Sequence, residues 1–212
     1  VKFILVVERK HLFPGLSPQG FLPVDAIDLG VIERWGFFAE REYMEQCSHY
    51  KQIIPYMALT LDGQVLAYQR QTKHSEERLG GLWTIGFGGH IEPIDRHEAG
   101  VEAQGLLQTA ALRELEEETG LEVPASALVT RGCINSERED VSSVHAGLFY
   151  TVDLTAVGLD HERIAARVTE QAEPWRVQWV RIDPDAGFPP PAPKDGQWED
   201  WTQIALTAFS RS

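Results

Sequence analysis

The sequence predicts an α/β fold, a sandwich built on a mixed β-sheet, and three observations point there. Strand-like and helix-like stretches follow the order strands, helix, strands, helix. Asp62-Gly63 separates two apolar runs and is a strong hairpin signal. The stretch "LLQTAALRELEEETG" has the length and spacing of a helix that stops at Gly120. With 212 residues, 43% of them hydrophobic, the chain suits one medium domain with additions.

Taken in order, the elements divide the chain into three parts. Residues 1–51 form an N-terminal α+β extension, either a cap or a dimerisation element. In it the apolar run Val1 to Val7 meets Glu8-Arg9-Lys10 at once, which is too short for a signal peptide or a membrane span and predicts a buried strand. "FPGLSPQGFLP" is rich in Pro and Gly and predicts loop, with helix from Phe38 onward. Residues 52–186 hold the main domain, with strands at "IIPYMALTL", "QVLAYQRQ", "LWTIGFGGHIE", "HAGLFYTVDL" and "WRVQWVRID". Residues 187–212 comprise a proline-rich connector, "FPPPAPKDG", and a tail helix. Trp198, Trp201, Ile204 and Leu206 give that helix an apolar side with which to dock.

The net charge of −13 argues against a nucleic acid polymer or an anionic membrane as partner, since both need a basic surface. A small phosphorylated substrate remains compatible, because a bound divalent cation supplies positive charge locally. Two cysteines, Cys47 and Cys133, stand in no CxxC pattern, so free thiols and a soluble cytoplasmic protein are expected.

"RELEEETGL", residues Arg113 to Leu121, carries the chemistry. On a helix, Glu114, Glu117 and Glu118 share one face, Glu116 points away, and Leu112 and Leu115 flank the core. Arg113 and Glu117 can touch at i, i+4. The like-charged pairs on this face are each unfavourable by roughly 0.2–0.5 kcal/mol. Acids in a last turn oppose the helix dipole by about 0.3–1 kcal/mol each. An acidic, merely solvated helix face is the alternative, but broken local rules tend to mark functional sites. A cation such as magnesium, which takes oxygen ligands, turns the repulsion into coordination.

Upstream, "GFGGHIEPID" brings a double glycine after a strand. Together the two stretches resemble the Nudix hydrolase signature: a glycine, five residues, a glutamate, seven residues, then R-E-U-x-E-E-x-G-U with U aliphatic. Arg113 to Leu121 matches the second half at every specified position. Gly89 to Asp95 matches the first, with aspartate for glutamate. The departure is spacing. Seventeen residues separate Asp95 from Arg113, and "RHEAGVEAQGLLQ", residues 96–108, looks like a ten-residue insertion. Gly100 and Gly105 would let it move as a substrate-selecting lid. The chain is similar to an uncharacterised bacterial subgroup of the family.

The resemblance implies a Nudix-type α/β/α sandwich and hydrolysis of the diphosphate linkage in a nucleoside diphosphate derivative, a small phosphorylated substrate. It implies Mg²⁺ or Mn²⁺ held by Glu117, Glu118, Glu114 and the carbonyl of Gly89. Glu114 would join the metal cluster or orient and deprotonate the attacking water, and Arg113 would hold the carboxylates. A further base outside this stretch is sought among Glu170, Glu173, Glu137 and Glu139. His90, Arg70, Lys73 and Trp175 are candidates for substrate contact, and Trp83 for core. A homodimer is expected from the family. An isomerase reading needs a cysteine where Gly88-Gly89-His90 stand, and is rejected. A Nudix-like nucleotide sensor without catalysis is the alternative function.

Overall fold

The computed structural model describes residues 1–69, 81–99, 103–138, 140–171, 176–183 and 189–209. Its spine is β4 (Tyr50–Leu61), buried at all but two of its positions, as a strand covered on both faces must be. β4 runs parallel to β9 (His145–Asp153) along nearly its whole length, from Gln52 opposite His145 to Thr60 opposite Asp153. On its other side it meets three partners in turn, all antiparallel. These are β1 (Phe3–Glu8) at Val6 and Gln52, β7 (Gly86–Phe87) at Met57 and Phe87, and β5 (Gln64–Gln69) at Thr60 and Val65. β5 continues to β10 (Arg176–Arg181) and to β6 (Trp83–Thr84), and β9 continues to β8 (Leu128–Asn135). One parallel pair among antiparallel ones makes the sheet mixed, as expected from the sequence.

Helices cover both faces. Period-two alternation along β4 sends Ile53, Met57, Leu59 and Leu61 into the main core and Tyr56 and Ala58 into a second one. The main core is closed by α5 (Ala103–Thr119), through Leu106, Leu107, Ala110, Ala111 and Leu115, and by α7 (His161–Gln171), through Ile164 and Val168. The second core is closed by α8 (Asp200–Phe209), with Ala205 and Leu206 fully buried and Trp198 beside them. The tail helix therefore docks where its apolar spacing suggested. The connector before it is pinned by the Trp198 indole donating to Pro190 O at 2.8 Å and the Trp83 N–H donating to Gln197 O at 2.8 Å.

The N-terminal residues join the same sheet. β1 buries Ile4 to Val7, in keeping with a short apolar run, and carries β3 (Phe37–Glu40) on its free side. Two expectations are corrected here. Helix from Phe38 gives way to β3, and only α3 (Arg41–Met44) is helical, because the aromatic pair gains more from pairing with Leu5 and Val6 than one isolated turn could supply. The Pro/Gly-rich stretch is not all loop: β2 (Gly20–Pro23) forms the sheet edge on β8, and its closing proline is tolerated at an edge. Short helices α1 (Arg9–Leu12) and α2 (Gly30–Trp35) follow β1 and β2, α4 (Pro93–Ala99) precedes α5, and α6 (Asp140–Ser143) precedes β9. Among the described residues no helix is long and apolar enough to cross a membrane.

Candidate active site

The acidic helix is α5, and its end is fixed by three local devices. Thr119, fully buried, donates to Leu115 O at 2.5 Å and accepts from the Leu121 N–H at 3.1 Å. Gly120 takes φ 66° and donates its N–H to Glu116 O at 2.7 Å. Leu121 then turns into the core. With Leu115 buried as well, Glu114 and Glu118 meet the loop after β7, Glu117 reaches Arg113, and Glu116 is exposed.

That loop meets the glutamates with backbone. Gly88 sits at φ 148°, where a Cβ would overlap the carbonyl oxygen of Pro55, so the chain can lie flat on β4 only as glycine. Its N–H donates to Glu118 Oε2 at 2.7 Å. At Gly89 a Cβ would stand 2.5 Å from Glu114 Oε2, so the Glu114 carboxylate rests directly on the backbone.

Arg113 ties the acids together, and all five of its N–H groups are engaged. Nε donates to Asp95 Oδ1 at 2.7 Å, and one terminal nitrogen to Asp95 Oδ2 at 2.9 Å and His90 O at 3.1 Å. The other terminal nitrogen donates to Glu114 Oε1 at 2.8 Å and Glu117 Oε2 at 3.1 Å. Hydrogen bonds from Arg113 to Asp95 hold the guanidinium protonated well beyond its ordinary range. Asp95 is fully buried at the third position of α4, where its Oδ2 also accepts the Glu92 N–H at 2.7 Å. Seventeen residues of separation thus close into one ion pair because α4 packs on α5. Burial raises the Glu114 pKa above the usual carboxylate value, against the lowering effect of Arg113. Glu117 is the most open member, with 61% of its side chain exposed.

Four carboxylates, Asp95, Glu114, Glu117 and Glu118, therefore gather around one guanidinium and the backbone N–H groups of Gly88 and Glu92. As they stand, no three His, Cys, Asp or Glu side chains among the described residues gather closely enough to hold a metal ion. The donor set itself is hard oxygen, the kind that Mg²⁺ and Mn²⁺ select. Beside it lies a cleft of about 510 Å³ lined by Arg113, Glu116, Glu117, Gly120, Glu122 and Arg167.

Residues 55–184 match the family described as the NUDIX domain. The chain belongs to the Nudix family. It is 34% identical over 159 residues to protein YmaB of Bacillus subtilis (strain 168), spanning 72% of this chain and 76% of that protein. In fold it is similar to the crystal structure of Tm1382, a candidate Nudix hydrolase. The TM-score is 0.69 at 21% identity, and the match covers 99% of both chains. That coverage takes in the N-terminal strands and α8, so both belong to a fold found elsewhere.

The Nudix signature is stretched in this chain without coming apart. Residues 96–99 extend α4, and residues 103–108 form the first turns of α5. The idea of a lid is corrected in part: Gly105 is helical, and Leu106 and Leu107 beside it are 2% exposed in the main core. That end of the insertion is anchored by buried apolar surface. Gly100 lies outside the described residues.

Other expected residues fall elsewhere. The His90 carbonyl faces Arg113, but its ring turns to Gln52, with Nε2 2.7 Å from Oε1, and to His145, with centroids 5.6 Å apart. Burial, then the nearby charges of Arg41, His145 and Lys2, push its pKa down to about 3. Trp83 is 1% exposed in the second core. Glu137, considered as a base, has its Oε1 bound by Arg9, Lys51 and Asn135. Burial raises its pKa, but hydrogen bonds from Lys51, Arg9 and Asn135 outweigh that and hold it below the usual value. Arg70, Lys73, Glu139, Glu173 and Trp175 lie outside the described residues. Glu170 falls in α7 with its side chain outside them.

The sequence reading missed three features: the Gly88 N–H on Glu118, the closure of Asp95 on Arg113, and Arg167 in the cleft. For the last, the apolar pair Ile164 and Val168 at i, i+4 was the available signal for a core-facing helix.

Proposed function

We propose that this Nudix protein is a divalent-cation-dependent hydrolase of the diphosphate linkage in nucleoside diphosphate derivatives or related organic pyrophosphates. The observation that supports this best is the seating of Glu114 on Gly89 and of Glu118 on the Gly88 N–H, which brings the acidic face of α5 onto a bare stretch of backbone. Glu114, Glu117, Glu118 and the Gly89 carbonyl would hold Mg²⁺ or Mn²⁺. The absence of a side chain at Gly89 fits that role, since oxygen donors crowd there with nothing apolar between them.

When bound, the cation supplies positive charge to the diphosphate oxygens and to the leaving group. The protein's own groups do the rest. Arg113, with every donor committed, positions the carboxylates and is unavailable to substrate. Glu114 keeps Oε1 on Arg113 and presents Oε2 to orient the attacking water and take its proton. Burial makes that carboxylate a stronger base than an exposed one. Asp95 acts through Arg113 as a positioning residue.

The test is product analysis by phosphorus NMR over a panel of nucleoside diphosphate derivatives and nucleoside triphosphates, with Mg²⁺, Mn²⁺ or chelator, for wild type and Glu118→Gln. Turnover that needs the cation and vanishes in the variant is expected, and the panel names the substrate class. Silence across the panel, with cation and nucleotide still bound, would replace the hydrolase by the sensor.

A further inference from the structure

A diphosphate approaching the acidic face meets a wall of carboxylates, so the protein needs a cation of its own with donors to spare. Arg113 has none, because its five N–H groups are all used by Asp95, Glu114, Glu117 and His90 O. Opposite it, across the cleft of about 510 Å³, stands Arg167 of α7. The apolar side of α7, Ile164 and Val168, is buried in the main core, which fixes the helix and leaves Arg167 exposed at the cleft wall. Among the described residues its hydrogen bond is a single one, to Gly120 O at 3.3 Å, long for a guanidinium. That bond leans the side chain over the end of α5 towards Glu117, and leaves four N–H groups in a planar fork suited to a phosphate.

We infer that Arg167 is a substrate-binding residue of this site, receiving a phosphate of the diphosphate in the cleft beside Glu117. The assignment rests on the hydrolase reading above. It divides the labour of the two arginines: one is consumed in holding acids, the other is kept open for the anion. Nothing in the sequence spacing links them, since α7 reaches the cleft only through tertiary packing. Glu116 and Glu122, on the same walls, repel a diphosphate and so direct it towards the Arg167 fork.

The experiment uses methylenediphosphonate, a diphosphate with a non-hydrolysable bridge, titrated calorimetrically with Mn²⁺ present, and Mn²⁺ alone followed by electron paramagnetic resonance. Arg167→Ala is expected to weaken diphosphonate binding about tenfold or more, the usual effect of losing hydrogen bonds to a charged group. Arg167→Lys is expected to fall between. Arg163→Ala, which removes an exposed arginine one turn away that pairs with Asp160, should bind as wild type does. Mn²⁺ affinity should be equal in all four proteins. Diphosphonate binding by Arg167→Ala equal to wild type overturns the assignment, as does a wild type that binds Mn²⁺ but no diphosphonate. A wild type that binds neither overturns the hydrolase reading as well.

Discussion

Two charged clusters lie in this molecule with opposite balance. Around Arg113, three carboxylates meet one guanidinium, Glu114 and Glu117 from α5 and Asp95 from α4, with Glu118 beside them on the Gly88 N–H. Around Glu137, two cations meet one carboxylate. Lys51 is completely buried and gives its ammonium to Glu137 at 2.8 Å, Ser143 O at 2.7 Å and Ser142 O at 3.4 Å. Arg9 joins it from the end of β1, bonding Glu137, Ser17, Ser48 O and Ser143 O. The surplus positive charge of the second cluster is met by backbone carbonyls, which cannot leave, so it is complete in itself. The surplus negative charge of the first is met by the backbone N–H groups of Gly88 and Glu92, and Glu117 remains largely open to solvent. A closed cluster stabilises the fold. The open one, with Glu117 facing solvent, is where the proposed cation would enter.

Breaking each cluster should therefore read out differently. The largest stability effect is expected from Arg113→Met, which strands the buried Asp95. A loss of about 3–5 kcal/mol in urea unfolding follows from leaving a buried charge without its partner. Lys51→Met should cost about 1–3 kcal/mol, less because Glu137 keeps Arg9 and is partly solvated, and metal-dependent turnover should change little beside it. A result with these two reversed would mean that the second cluster, and not Arg113, is the main electrostatic tie of the fold.

The smallest effect concerns His90, which sits between the clusters with its carbonyl on Arg113 and its ring on Gln52. Its folded pKa of about 3 lies below the ordinary 6.5, so as pH falls the unfolded chain takes up the proton first. Its neutral form is fully compatible with the fold above pH 6.5, and stability drains away between 6.5 and 3, by less than the ~1.4 kcal/mol per pH unit that one proton sets. His90→Gln should flatten that slope when unfolding midpoints are compared at about pH 7 and about pH 5. An unchanged slope would show that the ring is protonated in the folded protein.

How much of this was legible in the sequence depended on distance along the chain. The i, i+4 contact of Arg113 with Glu117, the exposure of Glu116 and the burial of Leu115 followed from helical spacing alone. So did the docking side of α8, while the hairpin at Asp62-Gly63, where both residues take positive φ, followed from its turn residues. The contact of Arg113 with Asp95 needed two helices to pack. The Lys51 cluster needed residues 86 and 92 positions apart, and a lysine in "YKQIIPY" gives no local sign of burial. β8 was hidden by a bulge at Thr130 and Gly132 that breaks its alternation, and β2 by the glycine and prolines around it. In each case pairing partners, and not local propensity, decided the structure.

The central claim is that the acidic face of α5 binds a divalent cation and the closed cluster does not. Mn²⁺ binding followed by electron paramagnetic resonance tests it, with wild type beside Glu117→Gln, Glu118→Gln and Lys51→Met. The account predicts Mn²⁺ bound by wild type and by Lys51→Met, and affinity lowered by more than ~100-fold in both glutamine variants, beyond the loss that outer-shell changes reach. Equal Mn²⁺ binding in all four proteins, or none in wild type, would contradict it.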